Sequence, residues 1–302
     1  MIDAKVICDS VSEAGTRITT FQVRAPKFID AELRTHRMLS QNSSSDRAIP
    51  FNKMVEKDCY IPMDIRKNQK GMQGYEKVSD NDATGFRYDA DEIYDFIIKK
   101  LIPWNGKIHK QHINRYLLPF AMQDKVITAT ELDNFFNLRL AADAQPEIQE
   151  VARKMKEAMD KSTPKILEPG EWHLPYVEFD VIGREYFDDT ISQRFLCLDE
   201  AIKCSAARCA RVSYGNHDGS DPDVEKDLKL YDFLVSSGHL SPLEHQATPM
   251  ERYKQEVIND VDPHTWQPGV SHVDGNYSLW SGTLCEWIQY RKLTENNNVS
   301  LV

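Results

Sequence analysis

The sequence predicts a mixed α/β fold in one domain, and three observations point there. TRITTFQVRAP alternates from Ile18 to Val23 as a strand does, and Pro26 closes it. Helical periodicity then recurs along the rest of the chain, broken only by polar sections short enough to be surface insertions. The 302 residues are 41% hydrophobic and 28% charged, which supplies a sizeable core without disulfide or metal staples.

The elements follow in order. KFIDAELRTHRML reads as a helix, and residues 51–104 form a lysine- and aspartate-rich section ending in the amphipathic DEIYDFIIKKLIPW. ATELDNFFNLRLAADAQPEIQEVARKMKEAM is helical in two pieces. Asp143 is placed to cap the second, Pro146 to sit in its first turn, and Glu147 to meet the positive end of its dipole. Residues 161–180 hold three prolines and read as a loop or crossing. A helical region runs from about Ile191 to Val212, and VEKDLKLYDFLVSSGH is a further helix stopped by Gly238. Residues 251–282 look loop-like, and TLCEWIQYRKL offers one last helix.

Lys+Arg 37 against Asp+Glu 47 gives a net charge of −10, a poor balance for wrapping a nucleic acid polymer. A single nucleotide in a local basic pocket remains compatible with it. The opening MIDAKVICDSVSEAG has acids early and no apolar core of secretory length, and no run approaches the roughly 18 apolar residues that span a bilayer. The expected location is therefore the cytoplasm, with no membrane partner. Six scattered cysteines fit free thiols in a reducing compartment. Cys204 and Cys209, with four residues between them, read as buried structural thiols, and His109 and His112 as solvated surface residues, so no metal site is expected. Neither GxGxxG nor GxxxxGK[ST] occurs, and HExxH and GxSxG are absent.

Three blocks carry chemistry. In RTHRMLSQNSSSDR (34–47) the serines and asparagine bond their own backbone and favour turns, so hydroxyls and N–H groups gather beside Arg37 and Arg47. Fork-shaped, charge-assisted donors of that kind suit a phosphate, although a solvated Ser-rich turn has the same composition. In the second block Arg139 sits amid Phe135, Phe136, Leu138 and Leu140 on a helix that must bury a face, so it either snorkels or meets an anion. The third block is AARCARVSYG followed by SSGHLSPLEH, where Ser241 and Glu244 stand at capping-box spacing between His239 and His245.

Together the blocks resemble the flavin-dependent thymidylate synthases. That family's signature, Arg-His-Arg, seven residues, then Ser, is matched by Thr35-His36-Arg37, seven residues, then Ser45. NRYLLP with NFFNLRLAADAQPEI, and ARVSYG with GHLSPLEH, match its other blocks. The last of these normally precedes the signature, so the chain looks circularly permuted, a rearrangement tolerated where termini lie close together on the surface. The resemblance covers 21–47, 107–160 and 206–248. It implies an α/β (α+β) fold with a central sheet packed by long helices and a single catalytic domain spanning 1–302. Insertions would lie at about 51–104 and 161–190, and a C-terminal extension at about 251–302.

The resemblance also implies roles. FAD contacts fall to His36, Arg37, Asn134, Ser213 and Ser241, with His239 and His36 on the folate side. The nucleotide's phosphate and sugar fall to Ser45, Arg47 and Arg115, with Glu32 where a glutamine usually touches the nucleotide. Arg139 matches the arginine that faces the pyrimidine ring, and Arg139 with Ser45 stands as the catalytic pair. The implied reaction is reductive methylation of dUMP by methylenetetrahydrofolate, reduced FAD and NADPH, in a homotetramer with sites between subunits. Permuted, decorated versions of the family look phage-encoded, which would place the protein in a host cytoplasm. Thr35 replaces the signature's first arginine, Ser43 a glutamate and Pro146 a tryptophan; the lost arginine and the carboxylate of Glu32 both make the pocket more negative. Two alternatives accompany the main reading. One is a sister enzyme that hydroxymethylates dUMP or acts on dCMP; the other is a non-catalytic flavin or nucleotide binder.

Overall fold

A computed structural model describes residues 1–56, 59–71, 74–180, 185–187, 195–212, 221–251 and 266–294. Strand β1 (Asp3–Ser12) turns back through Gly15, at φ +92°, into β2 (Arg17–Pro26), the strand that alternation predicts. β1 gave no clean alternation because its register shifts between Val6 and Cys8. A 3-10 turn (Lys27–Ile29) leads to α1 (Asp30–Arg34), and the chain then enters β3 (Ser40–Ser43). The predicted helix over KFIDAELRTHRML is thus cut short. The Thr35 hydroxyl and amide both donate to the Glu32 carbonyl, and His36 N–H donates to Leu33, which closes the helix in a tight turn.

The polar section carries α2 (Phe51–Glu56) and the 22-residue α3 (Asp80–Leu101), and α4 (Lys110–Ile113) precedes a 3-10 stretch over Asn114–Phe120. Next come β4 (Met122–Ala129), α5 (Asp133–Arg139) and α6 (Pro146–Lys161). Pro146 sits in the first turn of α6 as expected, but Gln145, not Asp143, caps it, its side chain accepting from Ile148 N–H at 3.0 Å. Residues 161–180 contain strands as well as loop: β5 (Lys165–Leu167) and β6 (Glu178–Asp180). Short strands β7 (Glu185–Phe187) and β8 (Phe195–Leu196) lead into α7 (Leu198–Arg211), which therefore starts later than Ile191. α8 (Val224–Ser236) ends before Gly238, as predicted, at φ +75°.

The third block gives no capping box. Ser241–Glu244 is a four-residue 3-10 turn with no side-chain cap, and Glu244 instead pairs with Arg291. After β9 (Ala247–Pro249), the C-terminal part forms β10 (His272–Val273), β11 (Leu279–Ser281), β12 (Leu284–Cys285) and β13 (Trp287–Gln289). The helix expected over TLCEWIQYRKL is thus two strands and a 3-10 turn. Glu286 at φ +61° breaks any helix there, and β13 pairs with β9.

The main sheet runs β3-β4-β2-β1-β5, antiparallel except where β5 joins β1. One face carries Phe21, Val23, Ala25, Ile127 and Ala129 against Ile148, Val151, Ala152 and Met155 of α6. On the other face Val126 meets Tyr176 and Cys209, which brings α7 across the sheet. Cys204 and Cys209 are both fully buried, whereas His109 and His112 are exposed. α7 is locked to α8 by Asp227, which accepts from Arg208 Nε at 2.8 Å and pairs with Arg211. Arg208 and Asp227 are fully buried, and Arg208 also donates to the Tyr176 carbonyl at 2.8 Å.

Candidate active site

The site starts from the turn that ends α1. It leaves His36 half-buried and Arg37 exposed above α5, whose Phe135 and Phe136 are buried in the core. Burying those two rings turns Asn134 and Leu138 outward, one helical turn apart. The His36 ring stands edge-on to Phe135, with centroids 4.9 Å apart and planes at 88°. Its Nε2 accepts from Arg139 Nε–H at 2.8 Å. An acceptor Nε2 puts the ring proton on Nδ1, the neutral tautomer. Burial, then the Arg139 charge, lowers the pKa of His36 below its ordinary value, in keeping with that assignment.

These residues line a cleft of about 640 Å³, within the size range of small-molecule sites. Thr35, His36, Arg37, Asn134 and Arg139 all face it. Arg37 and Arg139 make no ion pair among the described residues, so the cleft holds two guanidinium groups without a direct carboxylate partner, alongside the carboxylates of Glu131 and Asp274. The Thr35 hydroxyl is engaged with Glu32 at 2.6 Å and adds no charge.

Ser45, Arg47 and Arg115 lie outside this cleft but near one another along the backbone. Asn114 Nδ2 donates to the carbonyls of Asp46 (2.8 Å) and Ile49 (3.0 Å), which holds the loop after β3 beside the residue preceding Arg115. Arg47 and Arg115 are exposed and without an ion pair among the described residues. Glu32 is exposed on α1. Arg34 pairs with Asp30 and donates to Ser43 Oγ at 3.1 Å, so it does not take the place of the missing first arginine.

The third block meets the first at β3. Asn42 Nδ2 donates to the Cys209 carbonyl at 2.8 Å, and Ser241 Oγ donates to Asn42 Oδ1 at 3.2 Å. Ser241 and His239 are exposed and do not line the cleft, and Ser213 falls outside the described residues. His245 is instead fully buried, the last member of a hydrogen-bonded row running Ser10–His173–Thr20–Thr128–His245.

Sequence reasoning missed one side of the cleft altogether. Glu131 and the C-terminal residues Asp274, Asn276, Ser278, Trp280 and Cys285 complete its lining. The signal available was Asp274-Gly275, a hairpin dipeptide between short apolar runs.

Fold and cleft together define an α/β protein with a small-molecule cleft that presents two guanidinium groups and two carboxylates beside apolar surface. The model of the thymidylate synthase complementing protein family matches residues 13–165, half of the chain, and the chain belongs to that family. Among curated relatives, the flavin-dependent thymidylate synthase of Pyrococcus furiosus is 34% identical over 134 residues, covering 43% of this chain and 49% of the relative. That of Thermosipho melanesiensis is 28% identical over 155 residues, covering 49% and 65%. The chain thus spans about half to two-thirds of the length of the relatives it matches. A solved structure of the UMP/dUMP methylase PolB from Streptomyces cacaoi is similar at 20% identity and a TM-score of 0.46, over 53% of this chain and 89% of that one.

Proposed function

We propose that the chain is a flavin-dependent thymidylate synthase that methylates dUMP, with FAD as cofactor and methylenetetrahydrofolate and NADPH as co-substrates. The observation that carries this reading is the contact between His36 and Arg139, residues of two separate family blocks, in one open cleft. The residues present suit a flavin: Arg37 offers a cation, Asn134 an amide that both donates and accepts, and Leu138 and Trp280 apolar surface for a planar ring. When bound, the reduced flavin supplies the hydride, so no protein nucleophile is needed. None of the six cysteines is followed by histidine, unlike the Pro-Cys-His of the unrelated cysteine-dependent thymidylate synthases.

Arg139 faces the pyrimidine and stabilises negative charge developing on it. Because Nε is held by His36, the guanidinium presents its Nη edge to the ligand. Neutral His36 fixes that orientation without adding a repelling charge. Ser45, Arg47 and Arg115 take the phosphate as charge-assisted donors. Glu32 lies on the nucleotide side, and Ser213, Ser241 and His239 complete the flavin and folate side. We read Ser45, Arg47, Arg115, Glu32, Ser241 and His239 as joining the cleft in a homotetramer, with sites between subunits, in a host cytoplasm. The contacts of Asn42 with Cys209 and Ser241 support one catalytic domain with permuted block order.

Mass analysis of products tests the reading. Purified protein given FAD, NADPH, methylenetetrahydrofolate and dUMP is expected to form dTMP and to leave dCMP untouched. A hydroxymethylated product, or none with NADPH unspent, would overturn it.

A further inference from the structure

One wall of the cleft comes from outside the family match. Residues 13–165 supply the Thr35–Leu39 turn, Glu131 and α5, whereas Asp274, Asn276, Ser278, Trp280 and Cys285 belong to the β10–β12 segment. That segment is fastened to the sheet. Cys285 N–H donates to Thr130 Oγ1 at 3.0 Å, and the Thr283 and Ser40 hydroxyls lie 2.7 Å apart. Its tip is set by Asp274, whose Oδ1 accepts from Asn276 and Ser278 N–H (2.8 and 2.9 Å) and whose Oδ2 accepts from the Trp280 indole (3.1 Å). Asp274 is therefore a brace whose acceptor capacity is largely spent.

Glu131 is the contrasting carboxylate. It follows Thr130 on the β4–α5 connection, lines the same cleft, and meets no hydrogen-bond donor among the described residues. Partial burial, then the charges of Asp133, Glu286 and Asp274, raises its pKa. Its side chain is exposed to the cleft, where a ligand that brings N–H groups meets it as a charge-assisted donor. The imide edge of a uracil or isoalloxazine would set carbonyl oxygens against it. An aminopyrimidinone edge instead offers two parallel N–H donors at bidentate spacing.

We propose that Glu131, backed by the C-terminal hairpin, anchors the aminopyrimidinone edge of the reduced folate, so that the C-terminal extension forms the folate-side wall of the cleft. Asn276 lines the cleft from the braced tip and offers its amide to the ring carbonyl. The inference rests on the thymidylate synthase reading and assigns one of its substrates a place.

The test is equilibrium binding to the full chain loaded with FAD and dUMP, using tetrahydrofolate and its 2-desamino analogue. The parent is expected to bind the 2-amino compound about tenfold or more tightly than the analogue, as loss of a charge-assisted hydrogen bond implies. Glu131→Gln should lose about that factor of folate affinity and, with it, the preference, while flavin content and dUMP affinity stay at the parent's level. A parent indifferent to the 2-amino group, or a Glu131→Gln chain that binds folate as tightly as the parent, overturns the proposal alone. A parent that takes up neither flavin nor dUMP overturns the underlying reading and this proposal with it.

Discussion

Arg139 donates its Nε–H to Nε2 of His36 at 2.8 Å, which joins the turn after α1 to the end of α5. The bond fixes a guanidinium that forms no ion pair among the described residues, in a cleft that Glu131 and Asp274 also line. Removing it with Arg139→Ala is expected to lower kcat/KM for dTMP formation about 10²- to 10³-fold, the range for losing a preorganised charge-stabilising donor. Arg139→Lys should recover little, because an ammonium cannot hold His36 and the ligand at once. Steady-state kinetics on the two variants checks both statements.

The pH dependence of that contact has a definite sign. Burial and the Arg139 charge lower the His36 pKa, so the imidazole is neutral at pH 7 and its acceptor is intact. Protonation in acid removes the acceptor and sets two cations face to face. Turnover is expected to hold as pH falls through the ordinary histidine range and to drop only further into acid. His36→Asn should remove that acid limb along with most of the activity, as a pH–rate profile of both chains would record.

Thr35 gives a prediction of opposite direction. Its hydroxyl closes the turn on the Glu32 carbonyl at 2.6 Å. Thr35→Arg should cost about 1 kcal/mol of folding stability by losing that bond. It should also tighten dUMP binding severalfold at low salt, because it restores a cation to a chain of net charge −10. Denaturant melts and nucleotide titrations at two ionic strengths measure the two effects.

Much of this was legible in the sequence, and the losses have physical causes. Strand β2 and helix α6 announced themselves because one sets Phe21, Val23 and Ala25 at alternate positions on one sheet face and the other buries a single face, the two periodicities a reader can see. β1 escaped because a register shift breaks its alternation, and β12–β13 because a left-handed Glu286 divides a run that otherwise reads as helical. Of the cleft lining, His36, Arg37, Asn134 and Arg139 were legible because short motifs carry them. Glu131 and the hairpin residues were not, since a wall assembled from residues more than a hundred positions apart leaves no local pattern.

The buried histidines predict acid sensitivity of the fold. Desolvation pushes the pKa values of His173 and His245 down to about 3. In the unfolded chain both bind protons as pH falls through about 6.5. Unfolding therefore takes up to two protons between those limits, so stability falls as pH falls, by up to about 2.7 kcal/mol per pH unit, and is level above the upper limit. Urea midpoints measured from about pH 7 down to about pH 5 should shift steadily downward; a constant midpoint would contradict the assignment.

The Arg208–Asp227–Arg211 group is expected to act as a structural lock. Asp227→Asn leaves two buried guanidinium groups without their carboxylate and should destabilise the protein by about 3–5 kcal/mol. Chemical denaturation gives the value directly.

The most direct measurement on the whole account is the visible spectrum of the FAD-loaded chain during titration with dUMP, for the parent and for Arg139→Ala. The account predicts that the parent retains flavin, that dUMP perturbs the flavin band saturably, and that the response is lost or strongly weakened in the variant. Protein that holds no flavin, or a band that dUMP leaves unmoved in the parent, would contradict it.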